Sequence, residues 1–137
     1  INTFNNDKIT KLERFKYRSN FVTTGKLPYF PYATNIKDIT VSTNDFTGGA
    51  ASNGDFLVHS AGAATLESFD ARSNSLAHAL DLNNSFGDAI SVFSSLKRIK
   101  LSNNKFTELK DNIPGSKFPA LEDLILNNTL YLQLFIL

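Results

Sequence analysis

The chain has 137 residues, 42% of them hydrophobic and 20% charged, with a formal net charge of +1 and neither cysteine nor methionine. Its size and apolar content fit one folded domain and argue against a disordered chain. The near-neutral charge gives no general attraction to nucleic acid or anionic lipid, disulfides and thiolate metal sites are excluded, and no apolar run reaches the roughly 18 residues of a membrane-inserted helix.

Residues 1–11 carry Phe4 and Ile9 and read as a partial coil or an N-terminal cover. The first residues show no basic stretch followed by an apolar core of the kind a signal peptide needs. With no methionine even at position 1, the sequence reads as a processed or excised segment of a longer polypeptide.

A recurrent phrase begins at Leu12, as Leu12-x-x-Phe15-x-Tyr17-x-x-Asn20-x-Val22. Apolar positions two apart within a polar stretch predict a short strand with one buried face. Phe15 and Tyr17 point inward, and Leu12 opens the turn. The segment that follows, residues 23–32, is rich in proline and aromatic residues. It is predicted irregular, with Tyr29, Phe30 and Tyr32 packing into the core.

The phrase returns at Ile36/Ile39/Val41/Asn44/Phe46, followed by a flexible glycine-rich excursion over residues 48–55. The third copy is Leu66/Phe69/Ala71/Asn74/Leu76, with Ala71 at a site where other copies hold larger side chains. Residues 88–95 are the best helical candidate, capped by Asp88, with Ile90 and Phe93 facing inward at i, i+3. The fourth copy is Leu96/Ile99/Leu101/Asn104/Phe106. Ile113-Pro114-Gly115 signals a turn, after which Phe118 and Leu121 lead into the fifth copy, Leu121/Leu124/Leu126/Thr129/Tyr131.

The copies open at Leu12, Ile36, Leu66, Leu96 and Leu121. A recurrence every roughly 24 to 30 residues marks a coil in which each unit buries its core only against its neighbours. Asn20, Asn44, Asn74 and Asn104 leave the strand and bend inward, where each amide is predicted to bond backbone groups of neighbouring coils in a ladder. Thr129 offers only a shorter hydroxyl, so the ladder is predicted to be weaker there.

The phrase resembles the signature of the leucine-rich-repeat family, L-x-x-L-x-L-x-x-N-x-L, over residues 12–131. The resemblance implies an α/β solenoid: a right-handed coil with a parallel sheet on the concave face and a mostly irregular or short-helical convex side. The two longest units, those opening at Ile36 and Leu66, are long for the family, and Ala71 is small for its site. Disulfide-bonded caps, frequent in secreted animal and plant members, are impossible without cysteine.

Between the inward residues, the outward side chains line up in columns about 4.8 Å apart. The first reads Glu13, Lys37, Glu67, Lys97, Glu122, and the second Arg14, Asp38, Ser68, Arg98, Asp123. The third reads Lys16, Thr40, Asp70, Lys100, Ile125. The alternation of sign predicts that the charges pair along the sheet and fix coil-to-coil register. The competing reading is a mildly basic groove for a protein or glycan, carried by Arg18, Arg72, Lys16, Lys100 and Arg98. It has no aromatic anchor of the kind that dominates tight interfaces.

Residues 132–137 form an apolar tail. Tyr131, Leu132, Leu134, Phe135, Ile136 and Leu137 are candidate assembly contacts, because an uncapped last coil exposes apolar surface and a strand edge. Further repeats, another domain or a neighbouring subunit is expected to cover them, unless the tail folds back as its own cap.

No catalytic, cofactor or metal constellation is found. His59 and His78 are isolated, and Asp81, Asp88 and Glu108 are scattered over more than one coil rather than clustered. The glycines at 48, 49 and 54 match no phosphate-binding fingerprint. Asn53-Gly54-Asp55 reads as a turn rather than a calcium loop. Asn83-Asn84-Ser85 and Asn127-Asn128-Thr129 match the glycosylation sequon, a pattern that arises easily in an Asn-rich chain.

The expectation is a non-catalytic structural or protein-interaction module with no cofactor. It would belong to a larger assembly, such as a virion, a phage particle or a bacterial surface protein. The alternative is a free-standing recognition or adhesion module that binds a protein or glycan on the concave face. An enzyme regulator on the same scaffold is a third reading.

Overall fold

The computed structural model describes residues 9–20, 27–28, 30–48, 57–110 and 115–129. Five short strands each carry the first residue of an inward pair: β1 (Arg14–Lys16), β2 (Asp38–Thr40), β4 (Ser68–Asp70), β6 (Arg98–Lys100) and β8 (Asp123–Ile125). They form one all-parallel sheet in sequence order, β1-β2-β4-β6-β8. The register is the same at every junction, so Phe15, Ile39, Phe69, Ile99 and Leu124 stand in one row. Period-2 apolar spacing puts these residues on one face. Ile39, Phe69 and Ile99 are buried in the core, as are Val41, Ala71 and Leu101.

The intervening segments were expected to be mostly irregular or short-helical, and among the described residues three of them open on a short strand. β3 (Thr47–Gly48), β5 (Ser75–Leu80) and β7 (Lys105–Leu109) form a second parallel sheet in the order β3-β5-β7. Leu76, Leu80 and Phe106 turn into the core from these strands. The register shifts between His78 and Ala79, where His78 adopts φ +70°. This bulge breaks the period-2 pattern, which is why the sequence of β5 does not read as a strand. Val58 and Phe86 form one further parallel bridge.

Helical structure among the described residues is slight. It comprises α1 (Leu82–Ser85), capped by the Asp81 carboxylate on the Asn84 N–H, and 3-10 turns at Ile9–Lys11 and Ser60–Gly62. No helix among these residues is long and apolar enough to cross a membrane.

The helix expected over residues 88–95 is absent, and Ile90 is 87% exposed rather than inward. The Asp88 carboxylate accepts from the Ile90 N–H and the Ser91 hydroxyl, closing a side-chain turn in place of a helical one. The Phe93 N–H donates to the Lys117 carbonyl of the next segment, so this backbone is satisfied laterally. Phe93 itself is buried. With Phe69 and Phe118 it surrounds Phe86 in edge-on contacts of 5.4–5.7 Å between ring centroids.

Of the three rings expected in the core after the first strand, Phe30 is buried, Tyr32 is exposed and Tyr29 lies outside the described residues. Also outside them are most of the N-terminal cover, Val22, most of the glycine-rich excursion, Ile113 and Pro114 of the predicted turn, and residues 130–137 with every candidate assembly contact.

Candidate functional site: the outer face of the five-stranded sheet

Directly before each ladder position the chain turns through a left-handed residue: Ser19, Thr43, Ser73, Asn103 and Asn128, with φ from 54° to 59°. The N–H groups of the first four donate to the carbonyls of Ser42, Arg72, Ser102 and Asn127 on the next repeat. This turn swings the following side chain beneath the sheet. None of the five is glycine, although residues of serine and threonine type rarely adopt this conformation. The recurring Ser, Thr or Asn at that position was the available signal, and sequence reasoning missed it.

The asparagines then bond between repeats. Asn74 donates its amide to the carbonyls of Val41 and Ala71, each at 3.0 Å, and its side-chain oxygen accepts the Phe46 N–H at 3.2 Å. Asn104 does the same one repeat later, with Ala71 at 3.0 Å, Leu101 at 2.9 Å and the Leu76 N–H at 3.1 Å. Asn44 donates to Tyr17 and Val41, and its oxygen accepts the Asn20 N–H. Asn20 lies exposed at the edge and donates to the Arg18 carbonyl. Thr129 is buried, and its hydroxyl has no hydrogen-bond partner among the described residues.

On the outward face the candidate cations have unequal surroundings. Arg72 forks onto the buried Asp70 carboxylate, Nε to Oδ1 at 2.9 Å and an Nη to Oδ2 at 2.7 Å, and this bond raises the guanidinium pKa above its usual value. Arg98 stands 3.3 Å from Asp123, and Lys16 stands 3.9 Å from Asp38. Lys37 reaches Glu13 at 3.5 Å, a pairing within the first column. Neither Arg18 nor Lys100 forms an ion pair among the described residues. Thr40, Ser42, Asp70 and Ser102, outward by alternation, are nonetheless buried.

Two groups away from the sheet also have shifted titration. Lys117 is buried; its ammonium donates to the carbonyls of Asp88 and Ser91 at 2.9 and 3.0 Å and lies 5.7 Å over the Phe93 ring. Burial lowers its pKa, opposed by the charges of Asp88 and Asp81. His59 accepts the Ala61 N–H on Nδ1 at 3.0 Å, capping the 60–62 turn, and burial lowers its pKa. His59, Ser60, Gly87 and Asp88 line an open depression of about 150 Å³. Among the described residues, no group of three or more histidine, aspartate or glutamate side chains is placed to hold a metal ion.

Compared with known proteins, the chain matches no family model, no curated protein and no solved structure.

Proposed function

We propose that this chain is a short leucine-rich-repeat coil that serves as a non-catalytic structural or interaction module within a larger assembly. The observation that carries this reading is the contrast between central and outer strands. Ile39, Phe69 and Ile99 are at most 4% exposed, whereas Tyr17 beside β1 and Leu124 on β8 are each 37% exposed. A coil of repeats buries its core only between neighbours, so an outer coil is complete only when something stacks on it. The uniform parallel register and the Asn44, Asn74 and Asn104 bonds support the repeat reading. The partner is a neighbouring subunit or an adjoining coil. The test is the mass of the native species from its source, by light scattering with intact-mass spectrometry. A stoichiometric place in a larger particle or chain is expected; a stable 15.2 kDa monomer with protected outer strands would overturn the reading.

A second reading, recognition of an acidic protein surface or an anionic glycan on the sheet face, is favoured by the absence of ion pairs at Arg18 and Lys100 among the described residues. Arg18→Glu with Lys100→Glu would then abolish ligand binding at an unchanged melting temperature.

A further inference from the structure

We infer that the two outer strands join copies of this chain head to tail, β8 of one copy pairing in parallel with β1 of the next, an inference that rests on the assembly reading above. Three properties of the two edges carry it.

The first is backbone complementarity. At every internal junction the same two bonds recur. One runs from Lys37, Glu67, Lys97 and Glu122 N–H groups to the carbonyls of Glu13, Lys37, Glu67 and Lys97. The other runs from Tyr17, Val41, Ala71 and Leu101 N–H groups to the carbonyls of Thr40, Asp70, Lys100 and Ile125. Continuing the series, the Glu13 N–H of the next copy meets the Glu122 carbonyl, and the Leu126 N–H meets the Lys16 carbonyl. The Glu13 and Leu126 N–H groups have no partner among the described residues, and edges left in this state are templates for pairing.

The second is the apolar rows. In the shared register Leu124 stacks on the next copy's Phe15, and Leu126 stacks on Tyr17. The two side chains that are exposed here, Tyr17 and Leu124, would each gain the neighbour that their central counterparts already have.

The third is charge. The β1 edge presents Arg14, Lys16 and Arg18 against Glu13, a net of +2, and the β8 edge presents Glu122 and Asp123, a net of −2. Asp123 would sit between Arg98 and the next copy's Arg14, extending the column in which it already meets Arg98 at 3.3 Å. Glu122 meets Glu13 unfavourably, but Arg14, 3.9 Å from Glu13, stands beside both. A like-on-like dimer of either edge would instead oppose equal charges. The contact is therefore heterologous and open-ended.

The experiment is light scattering of the full chain across a concentration series at low and high salt, with amide hydrogen exchange of Glu13 and Leu126. Wild type should associate with rising concentration, dissociate at about 1 M salt, where screening acts within about 3 Å, and protect both amides on associating. Glu122→Lys with Asp123→Lys should stay monomeric, as should Arg14→Glu with Lys16→Glu, each self-associating on the order of a hundredfold more weakly. An equimolar mixture of the two variants should associate again, because each then offers the edge that the other lacks. A mixture that stays monomeric, or variants that associate like wild type, would overturn the inference. A monomeric wild type with fast-exchanging Glu13 and Leu126 amides would overturn head-to-tail pairing alone. If both amides were protected in a monomer, the assembly reading would fall with it.

Discussion

Asn74 and Asn104 donate to the same oxygen. The carbonyl of Ala71 accepts one amide from its own repeat and one from the next, each at 3.0 Å. One carbonyl thus ties together two successive repeats of the phrase. Because an unpaired buried carbonyl or N–H is costly, the side chains that satisfy these groups hold the repeats at a fixed spacing.

Asn74→Ala removes the donor to Val41 and Ala71 and the acceptor for the Phe46 N–H, all buried. Urea unfolding should show a loss of about 1–3 kcal/mol. Asn20→Ala, at the exposed edge, should cost well under half of that. Equal losses at the two sites would mean that the ladder does not hold the repeats together.

Thr129 stands at the ladder position of the fifth repeat with a buried hydroxyl that lacks a partner among the described residues. Its side chain is too short to bridge to the preceding repeat as Asn104 bridges to Ala71. Thr129→Asn should reach the Leu101 carbonyl and raise stability by about 1 kcal/mol, read as a shift in urea midpoint at constant slope. A drop in stability would show that the last repeat departs from the geometry of the others.

Thr43 is β-branched and held at φ +57°, in a region that such residues rarely occupy. Thr43→Asn keeps a polar side chain and relieves the backbone, and about 1 kcal/mol of added stability is expected. Differential scanning calorimetry of the variant checks this, and a lower melting temperature would contradict it.

His59 makes its cap with a neutral Nδ1, so protonation there breaks the bond to Ala61. Burial holds its folded pKa below the ordinary 6.5. Between the two values the unfolded chain binds more protons, so this contribution is present above pH 6.5 and is lost as pH falls through the folded pKa. His59→Asn keeps a capping acceptor without titrating. Its melting temperature should decline less than that of wild type on acidification from about pH 7.5 to about pH 5. Asp88, whose carboxyl is held below its usual 3.8 first by the Ser91 hydroxyl, adds a separate loss at lower pH. Parallel pH profiles for wild type and variant would exclude His59 as the source.

The sequence by itself determined where the five strands of the main sheet lie and which residue of each stands in the shared row, although Tyr17 and Leu124, placed inward by the same alternation, are each 37% exposed at the outer strands. Phe15, Ile39, Phe69, Ile99 and Leu124 were legible because period-2 alternation is a local property of a few adjacent residues. The outward charge columns were legible as an order, because equal register makes neighbours of residues at equal places in the phrase.

Only the tertiary structure decided the rest. Residues 88–95 carry helical spacing, yet Asp88 closes a local turn and Phe93 bonds Lys117, a partner set by how successive repeats stack. β5 pairs with β7 through a bulge at His78 that no alternation announces. Lys117 is buried, and the carbonyls of Asp88 and Ser91 converge on its ammonium from the repeat before. Among the cations of the sheet face, Arg72 is engaged, since the folded geometry brings its guanidinium within 2.7 Å of Asp70, and Lys100 forms no ion pair among the described residues. Each of these depends on which groups meet from one repeat to the next, far apart along the chain. Spacing along the chain encodes one face of each repeat, and packing between repeats selects its partners.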